Sequence, residues 1–343
     1  MKKSLLVIPL VVVIVIAAAM FMQRPGTPVD EEEVADEPEG VDLPPEDVTE
    51  ETRPLKGFSL SPRSYEEFGE FFEKAAEAGE VVTWAGDWGF LDDEVSAPHV
   101  VAALSDQQGL DPIVVVTYFT QGTGELVRPL NETNRQAYVD GAVQFVEAYE
   151  PSYIGFGIEV NSFWMNSEEG YQSFVELFGE VYPLVKEASP ETKVFTVFQL
   201  ERMKGLHGGL FGGTNDEGLS QWELLDDFPE ADALAFTTYP CLIHMDPSEM
   251  PEDYYTEILD HTSKEVLIAE SGWFREGPEG WESDEGEQAE FVHALFDLTE
   301  ELDPSVIIWS FLYDQGVQYP FDTMGLLDLD EAHLQPWQAW IEE

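Results

Sequence analysis

Residues 153–164 read YIGFGIEVNSFW, an apolar run that ends in a carboxylate and an amide, Glu159 and Asn161. The apolar side chains alternate with glycines, which is typical of a short strand that is buried on both faces. Residues 265–273, EVLIAESGW, have the same form and end in Glu270. These two stretches predict two buried strands, each of which places a glutamate at its carboxyl end.

Six further segments have the same apolar and β-branched character, and longer amphipathic segments separate them. They are KGFSLSP (56–62), VVTWAGDW (81–88), IVVVTYFTQG (113–122), KVFTVFQLE (193–201), ALAFTTYP (233–240) and VIIWSFLYD (306–314). Alternation of eight strands with helices over roughly 280 residues predicts an α/β fold, a (β/α)8 or TIM barrel that spans residues 55–343. An open, doubly wound sheet is the alternative, but it requires a glycine-rich phosphate turn after the first strand, and residues 56–64 contain none.

A barrel would give the two glutamates a common location. Chemistry in this fold takes place at the carboxyl ends of the strands. Glu159 ends the fourth predicted strand and Glu270 the seventh, so we expect their side chains to face each other across the barrel mouth. A pair of carboxylates placed in this way serves glycoside hydrolysis, in which one group protonates the leaving oxygen and the other attacks the anomeric carbon. The acid needs a raised pKa in order to hold its proton.

The charge of the chain narrows its range of partners. The sequence contains 70 acidic and 15 basic residues, a net charge of −55. Twelve of the acids and four of the bases lie in residues 1–54, so residues 55–343 carry a net charge of −47. Such a surface repels nucleic acid. It also repels itself at low ionic strength, which favours a halophilic source. Cys241 is the only cysteine, so no intrachain disulfide can form.

The first residues indicate export. Two lysines precede an apolar run at residues 5–22, so residues 1–24 are predicted to be a signal peptide or an N-terminal membrane anchor. Residues 25–54 are acidic and rich in proline, which predicts a disordered linker. We therefore expect an extracellular, monomeric domain that is secreted or tethered through residues 5–22 to the outer face of the cell membrane.

Four strand ends resemble those of the clan A glycoside hydrolases, a group of retaining TIM-barrel enzymes. GIEVNSFW and IAESGW are similar to the segments that carry the acid/base and the nucleophile, roles that the resemblance assigns to Glu159 and Glu270. ALAFTTYP resembles the strand whose tyrosine lies beside the nucleophile, here Tyr239. VIIWSFLYD resembles the strand that ends near a tryptophan under the reactive sugar, here Trp309.

Within the clan, the glycine before the strand-four acid and the ESGW sequence around Glu270 are most similar to the family 53 endo-β-1,4-galactanases. One position departs from the clan. The residue directly before the acid/base is usually an asparagine that holds the sugar 2-hydroxyl, and here it is Ile158. Asn161 is the candidate to replace it, because it lies on the same face if the strand continues. With Ile158 in this position, two further interpretations stay open: the chemistry differs from that of the clan, or the chain has no catalytic activity.

Further aromatic and polar residues stand at predicted strand ends, where rings can stack on sugars and polar groups can bind hydroxyls. These candidates for substrate binding are Trp84, Asp87, Trp88, Tyr118, Gln121, Gln199 and Trp273. The six histidines show no metal-ligand spacing, and no cofactor motif is present. We therefore expect neither a catalytic metal nor a cofactor.

Together these features predict a retaining glycoside hydrolase that cleaves β-glycosidic bonds of an extracellular polysaccharide with an endo action. A non-catalytic glycan-binding barrel is the alternative, and Ile158 motivates it. Galactan, mannan, glucan and xylan all remain open as substrates, because linkage specificity is set by loop geometry.

Overall fold

A computed structural model describes residues 53–332 and 334–343. Its strands close into a barrel in which each strand pairs in parallel with its neighbours in sequence and the first strand pairs with the last. The prediction of a TIM barrel is therefore confirmed. The strands are β1 (Leu55–Ser59), β2 (Val81–Asp87), β3 (Asp111–Thr117), β4 (Tyr153–Phe156), β5 (Lys193–Gln199), β6 (Ala233–Thr238), β7 (Glu265–Ser271) and β8 (Val306–Trp309).

The outer layer of helices is less regular than the alternating pattern indicates. The α-helices are α1 (Phe68–Ala75), α2 (Ala97–Gln108), α3 (Glu132–Tyr149), α4 (Val160–Asn166), α5 (Glu168–Ala188), α6 (Leu200–Met203), α7 (Glu285–Thr299) and α8 (Gln335–Glu342). After β5 the chain forms the single helical turn α6 and then 3-10 turns at Glu217–Leu219 and Trp222–Asp227. Between β6 and β7 the chain forms short 3-10 turns, at Pro240–Leu242, Pro247–Glu249 and Thr256–Asp260. Prolines in this segment explain the difference, because proline lacks the N–H that a helix interior requires.

Alternate residues of each strand point to the barrel interior or to the helices. The interior is filled mainly by small and β-branched side chains, with Tyr153 and Phe195 as its aromatic members. The opposite faces of the strands pack against the helices in a larger apolar layer that holds most of the buried aromatic rings. A strand residue whose side chain faces the barrel interior can reach the barrel mouth, whereas one whose side chain faces the helices cannot.

The chain turns sharply at the end of β4. Gly157 and Glu159 both have positive φ angles, 84° and 53°, and α4 begins directly afterwards at Val160. A Cβ atom at position 157 would lie 2.5 Å from the Val160 side chain, so only glycine fits there. At Glu159 the left-handed backbone costs roughly 1–2 kcal/mol, because this residue has a Cβ. Backbone strain of this kind is concentrated at functional sites.

β7 contains a β-bulge just before Glu270. Seven residues of β7 lie opposite six of β6, and the pairing shifts after Ile268. Leu267 and Ala269 both face the barrel interior, so strict alternation would turn Glu270 toward the helices. The bulge adds one residue to this strand and re-aims the glutamate toward the mouth.

The predicted signal peptide or anchor at residues 1–24 lies outside the described residues, as does most of the predicted linker at residues 25–54. β1 begins at Leu55. Within the part of the chain that the structure describes, none of the helices combines the length and the hydrophobicity that crossing a membrane requires.

Candidate active site

Glu159 and Glu270 lie at the carboxyl ends of β4 and β7. Both are nearly buried, with 8% and 5% of their surfaces exposed. Oε1 of Glu159 accepts a hydrogen bond from the Thr237 hydroxyl at 3.1 Å, and Ser162 Oγ lies 3.5 Å from Oε2. Thr237 is also the residue of β6 that pairs with Glu270. One residue of the intervening strand therefore contacts both glutamates.

The Tyr239 side chain orients Glu270. Its hydroxyl donates a hydrogen bond to Oε2 of Glu270 at 2.8 Å and lies 2.9 Å from Ser310 Oγ. The tyrosine is 2% exposed, so its ring has little freedom to move. A tyrosine in contact with the glutamate after β7 is the arrangement that the clan A resemblance implies.

Burial raises the pKa of both glutamates. It raises the pKa of Glu270 from 4.5 to about 8, while the Tyr239 hydrogen bond opposes the rise and the charge of Glu159 adds to it. Burial is also the largest cause of the raised pKa of Glu159, against which the charge of Arg202 and the Thr237 hydrogen bond act. The charge of Glu159 disfavours ionisation of Glu270, and the charge of Glu201 disfavours ionisation of Glu159.

A pocket of about 380 Å³ opens beside Glu159, over the ends of β3 to β6. Its wall includes Gln121 and Gln199, two of the residues predicted to bind substrate, and Asn166 of α4. Glu270 does not line this pocket. The pocket therefore lies on the Glu159 side of the pair.

Glu201 is a third buried carboxyl at this end of the barrel, and it is not among the residues predicted from the sequence. Its Oε1 accepts hydrogen bonds from the Thr238 hydroxyl at 2.7 Å, the Tyr239 N–H at 3.0 Å and the Tyr254 hydroxyl at 2.9 Å. The Gln199 side-chain amide donates to its other oxygen. Glu201 thus joins the ends of β5 and β6 and supports the backbone of the tyrosine that holds Glu270.

The pocket wall also includes Arg202, His207 and Phe211, which come from α6 and the loop after it and which were likewise missed. Phe211 is 51% exposed, and its ring stacks on Phe321 with 6.5 Å between centroids. Phe321 in turn meets the ring of Tyr239 edge-on at 6.2 Å. An aromatic wall therefore runs from the pocket across the barrel mouth.

The aromatic residues predicted to bind sugar are buried elsewhere, with at most 2% of each surface exposed. They are Trp84, Trp88, Tyr118, Trp273 and Trp309, and each packs against at least one other aromatic ring. Trp309 packs against Trp340 of α8 and donates its indole N–H to the Met324 carbonyl at 2.9 Å. The structure therefore places these five side chains away from the pocket beside Glu159. Trp84 and Trp309 occupy strand positions that alternate with the inward-facing ones, so their rings point to the helices.

Asn161 does not reach the mouth either. β4 ends at Phe156, and Asn161 lies fully buried in α4. Its amide donates to the Gln199 carbonyl at 3.1 Å and to Gln221 Oε1 at 2.9 Å, and its oxygen accepts from the Gln199 N–H at 2.9 Å. Because these bonds use both of its donors, Asn161 cannot replace the usual asparagine. Ile158 packs with the residues of the barrel interior.

Among the residues at the end of β2 that were predicted to bind substrate, Asp87 is the one that occupies an inward-facing position of the strand. It follows Val81 and Ala85, which both face the barrel interior, and it is the last residue of β2. Its carboxylate accepts from the Gly89 N–H at 2.8 Å and forms an ion pair with Arg128. This pairing fixes the carboxylate near the mouth.

No protein-family model matches this sequence, and no curated protein matches it. Among solved structures, the chain is similar to the exo-β-1,4-mannosidase Op5Man5 from Opitutaceae bacterium strain TAV5, with a TM-score of 0.59, 12% identity and 84% of this chain covered. It is also similar to a GH2 β-galacturonidase from Eisenbergiella tayi, with a TM-score of 0.54, 16% identity and 85% covered. The chain spans 58% and 52% of the lengths of these two proteins.

Family 53 is also among the structural neighbours. The GH53 catalytic domain from Ignisphaera aggregans matches with a TM-score of 0.54 at 12% identity, over 84% of this chain and 96% of that one. These neighbours are glycoside hydrolases of the clan A type. At such identities the likeness establishes the shared (β/α)8 fold.

Proposed function

We propose that the chain is a retaining glycoside hydrolase that cleaves β-glycosidic bonds of an extracellular polysaccharide. The observation that carries the proposal is the pair of buried carboxyls, Glu159 and Glu270, at the ends of β4 and β7, with the Tyr239 hydroxyl bound to the second. The fold, which is that of solved glycosidases, supports it.

The two carboxyls divide the reaction between them. Glu270 attacks the anomeric carbon as a carboxylate and forms a glycosyl ester, while the bond to the leaving sugar breaks and Glu159 gives its proton to that oxygen. Water then attacks the same carbon, Glu159 takes up its proton, and Glu270 leaves as a carboxylate. The Tyr239 hydrogen bond stabilises the ionised form of Glu270 before attack and after release.

The pocket supports an endo action. Because it lies beside Glu159, which protonates the leaving oxygen, we assign it to a sugar on the leaving-group side of the cleaved bond. The exposed ring of Phe211 offers that sugar a flat apolar face. An enzyme that binds sugar on this side favours a chain over a simple glycoside.

The charge and the N-terminal segment support the proposed setting. An export signal or anchor at residues 1–24 would place the barrel outside the cell, with residues 25–54 as spacer and residues 5–22 as the membrane tether where the segment is retained. A net charge of −47 over residues 55–343 favours a monomer that works in concentrated salt.

A non-catalytic glycan-binding barrel is the second candidate, and two observations favour it. Ile158 leaves the sugar 2-hydroxyl without its usual partner. Glu270 needs to be ionised in order to attack, whereas burial raises its pKa to about 8. Turnover measurements on β-glycans in molar salt separate the two candidates.

The roles of the glutamates can be tested by chemical rescue. Glu270→Ala should abolish turnover, and azide should restore it because a small anion enters the emptied space. Glu159→Ala should keep the first step on aryl glycosides with good leaving groups, which need no proton. Glu276→Gln is the matched control, because Glu276 is exposed in the loop after β7, and it should retain full activity.

The stereochemistry of the first product decides the mechanism. Proton NMR of the initial product should show the anomeric configuration of the substrate. An inverted product would contradict the nucleophilic role of Glu270. Saturable binding of β-glycans by the wild type without any turnover would instead favour the glycan-binding candidate.

A further inference from the structure

Arg202 lines the candidate pocket, and its guanidinium has no anionic partner within residues 53–332 and 334–343. Every other lysine and arginine there donates to a carboxylate or a main-chain carbonyl. The side chain of Arg202 instead contacts the sulfur of Met165, 3.5 Å from its Nη1. Residues 55–343 contain 58 acidic and 11 basic residues. In such a chain an arginine without a carboxylate partner is unexpected.

The nearest carboxyls do not neutralise this charge. Glu201 precedes Arg202 in the sequence, but its oxygens are occupied by four donors from β5, β6 and the loop after β6. The charge of Arg202 acts on the pKa of Glu159 through space, yet no ion pair joins the two. Arg202 as a whole is partly buried, and its side chain lies in the pocket wall with its positive charge available to a ligand.

The rest of the wall fits a sugar. Burial and the charge of Arg202 lower the pKa of His207, so its imidazole is neutral at neutral pH and both donates and accepts hydrogen bonds. Gln121 and Asn166 add amide groups that suit sugar hydroxyls, and Phe211 adds a ring face. One cation with neutral polar groups and an aromatic ring suits a sugar that bears a single anionic group. The wall also contains the carboxyls of Glu159 and Glu201, and burial raises the pKa of both, which favours their uncharged forms.

We propose that this pocket binds a hexuronic acid residue through an ion pair between the sugar carboxylate and Arg202. The planar fork of a guanidinium matches the two oxygens of a carboxylate. The placement of this sugar on the leaving-group side of the cleaved bond rests on the proposed glycosidase function. The preference for an acidic sugar follows from the pocket itself and can be measured without turnover.

The test compares two ligands that differ in charge and, at each sugar, by one methyl group. Oligosaccharides of β-1,4-linked glucuronic acid and their methyl esters are titrated calorimetrically into Glu270→Gln protein, which removes turnover. Sodium chloride at about 1 M reduces the Debye length to about 3 Å and screens the acidic surface. We expect the acid to bind about tenfold or more tightly than the ester, the ratio typical of a charge-assisted hydrogen-bonded pair.

Substitution then identifies the source of the preference. Arg202→Gln should remove the preference for the acid and leave ester binding within about twofold. Arg135→Gln, in which the lost cation is paired with Glu180 on the surface, should leave both affinities unchanged. Equal binding of acid and ester by the parent protein would overturn the proposal. An equal loss for both ligands in Arg202→Gln would do so as well, because Arg202 would then act only on Glu159.

Two further outcomes separate this proposal from the glycosidase proposal. Tighter binding of 6-O-sulfated cello-oligosaccharides than of glucuronic acid oligosaccharides would overturn the carboxylate assignment. Acidic oligosaccharides that bind through Arg202, with no cleavage of acidic or neutral β-glycans by the wild type, would uphold the pocket assignment and refute the hydrolase. Cleavage of neutral β-glycans with no dependence on Arg202 would give the reverse result.

Discussion

Replacing Glu270 by glutamine should stabilise the protein, and the gain should grow with pH. The carboxyl has a pKa near 4.5 in the unfolded chain and about 8 in the fold. Below pH 4.5 it is protonated in both states, so glutamine changes little. Above that pH the unfolded chain ionises readily while the folded site resists ionisation, and the wild type loses stability until the pH passes 8.

The size of the effect follows from the same rise. At about 1.4 kcal/mol for each pH unit, the rise from 4.5 to about 8 corresponds to about 5 kcal/mol at pH 8 and above. This figure is a ceiling, because part of the rise comes from the charge of Glu159. Tyr239 should keep its hydrogen bond, since the glutamine carbonyl accepts from the hydroxyl as the carboxylate does.

Urea unfolding from pH 4 to pH 9 in molar salt, followed by tryptophan fluorescence, measures the difference. Glu276→Gln controls for a lost surface charge and should show no trend. Glu265→Gln provides a change of opposite sign on the same strand. Hydrogen bonds from Lys193 and Tyr153 lower the pKa of Glu265 by more than burial raises it. The Glu265→Gln variant should therefore lose most stability above pH 4.5, and the loss should become smaller as the pH falls below 4.5. A stability difference between Glu270→Gln and wild type that is the same at pH 5 and pH 8 would refute the raised pKa.

Three further predictions follow from the site and the surface. Tyr239→Phe should raise the pKa of Glu270 further, because it removes the hydrogen bond that lowers this pKa. The acidic limb of the kcat/KM profile should then move to higher pH. An unchanged acidic limb would show that Tyr239 does not affect the titration of Glu270. Glu159→Gly should unfold at higher urea concentration than Glu159→Ala, by about 1 kcal/mol, because glycine relieves the left-handed backbone; the usual order, alanine above glycine, would show that position 159 is unstrained. The melting temperature of the wild type should rise between low and molar salt as repulsion among the acids is screened, and a flat scanning-calorimetry series would reject the halophilic reading.

The strands and the two glutamates were predictable because their signals are local. A run of β-branched residues that ends in a carboxylate marks a buried strand, and the barrel then sets where its end lies. The helices after β5 and β6 were not predictable in the same way. Apolar periodicity there is weak, and prolines such as Pro240 and Pro247 break the segment into turns.

The side of the strand on which the aromatic side chains lie could not be predicted, for a different reason. A barrel strand is buried on both faces, so its hydrophobicity does not reveal which face meets the interior. Trp309 follows Ile308, which faces inward, and this alternation would have assigned it to the helix side. Arg202 also left a signal that was not used: it is one of only 15 basic residues, and it directly follows the predicted strand segment at residues 193–201. Phe211 lies in a loop, where no periodicity applies.

The bulge in β7 separates the position of the candidate nucleophile from the number of residues that lead to it. Loss of Ala269 would restore one-to-one pairing with β6 and leave Glu270 opposite Thr237, on the inward face. A related barrel one residue shorter between Glu265 and Glu270 would therefore keep the carboxylate pair. In this barrel the residue that pairs with Thr237, and not the count from the start of the strand, identifies the candidate nucleophile in a homologous sequence.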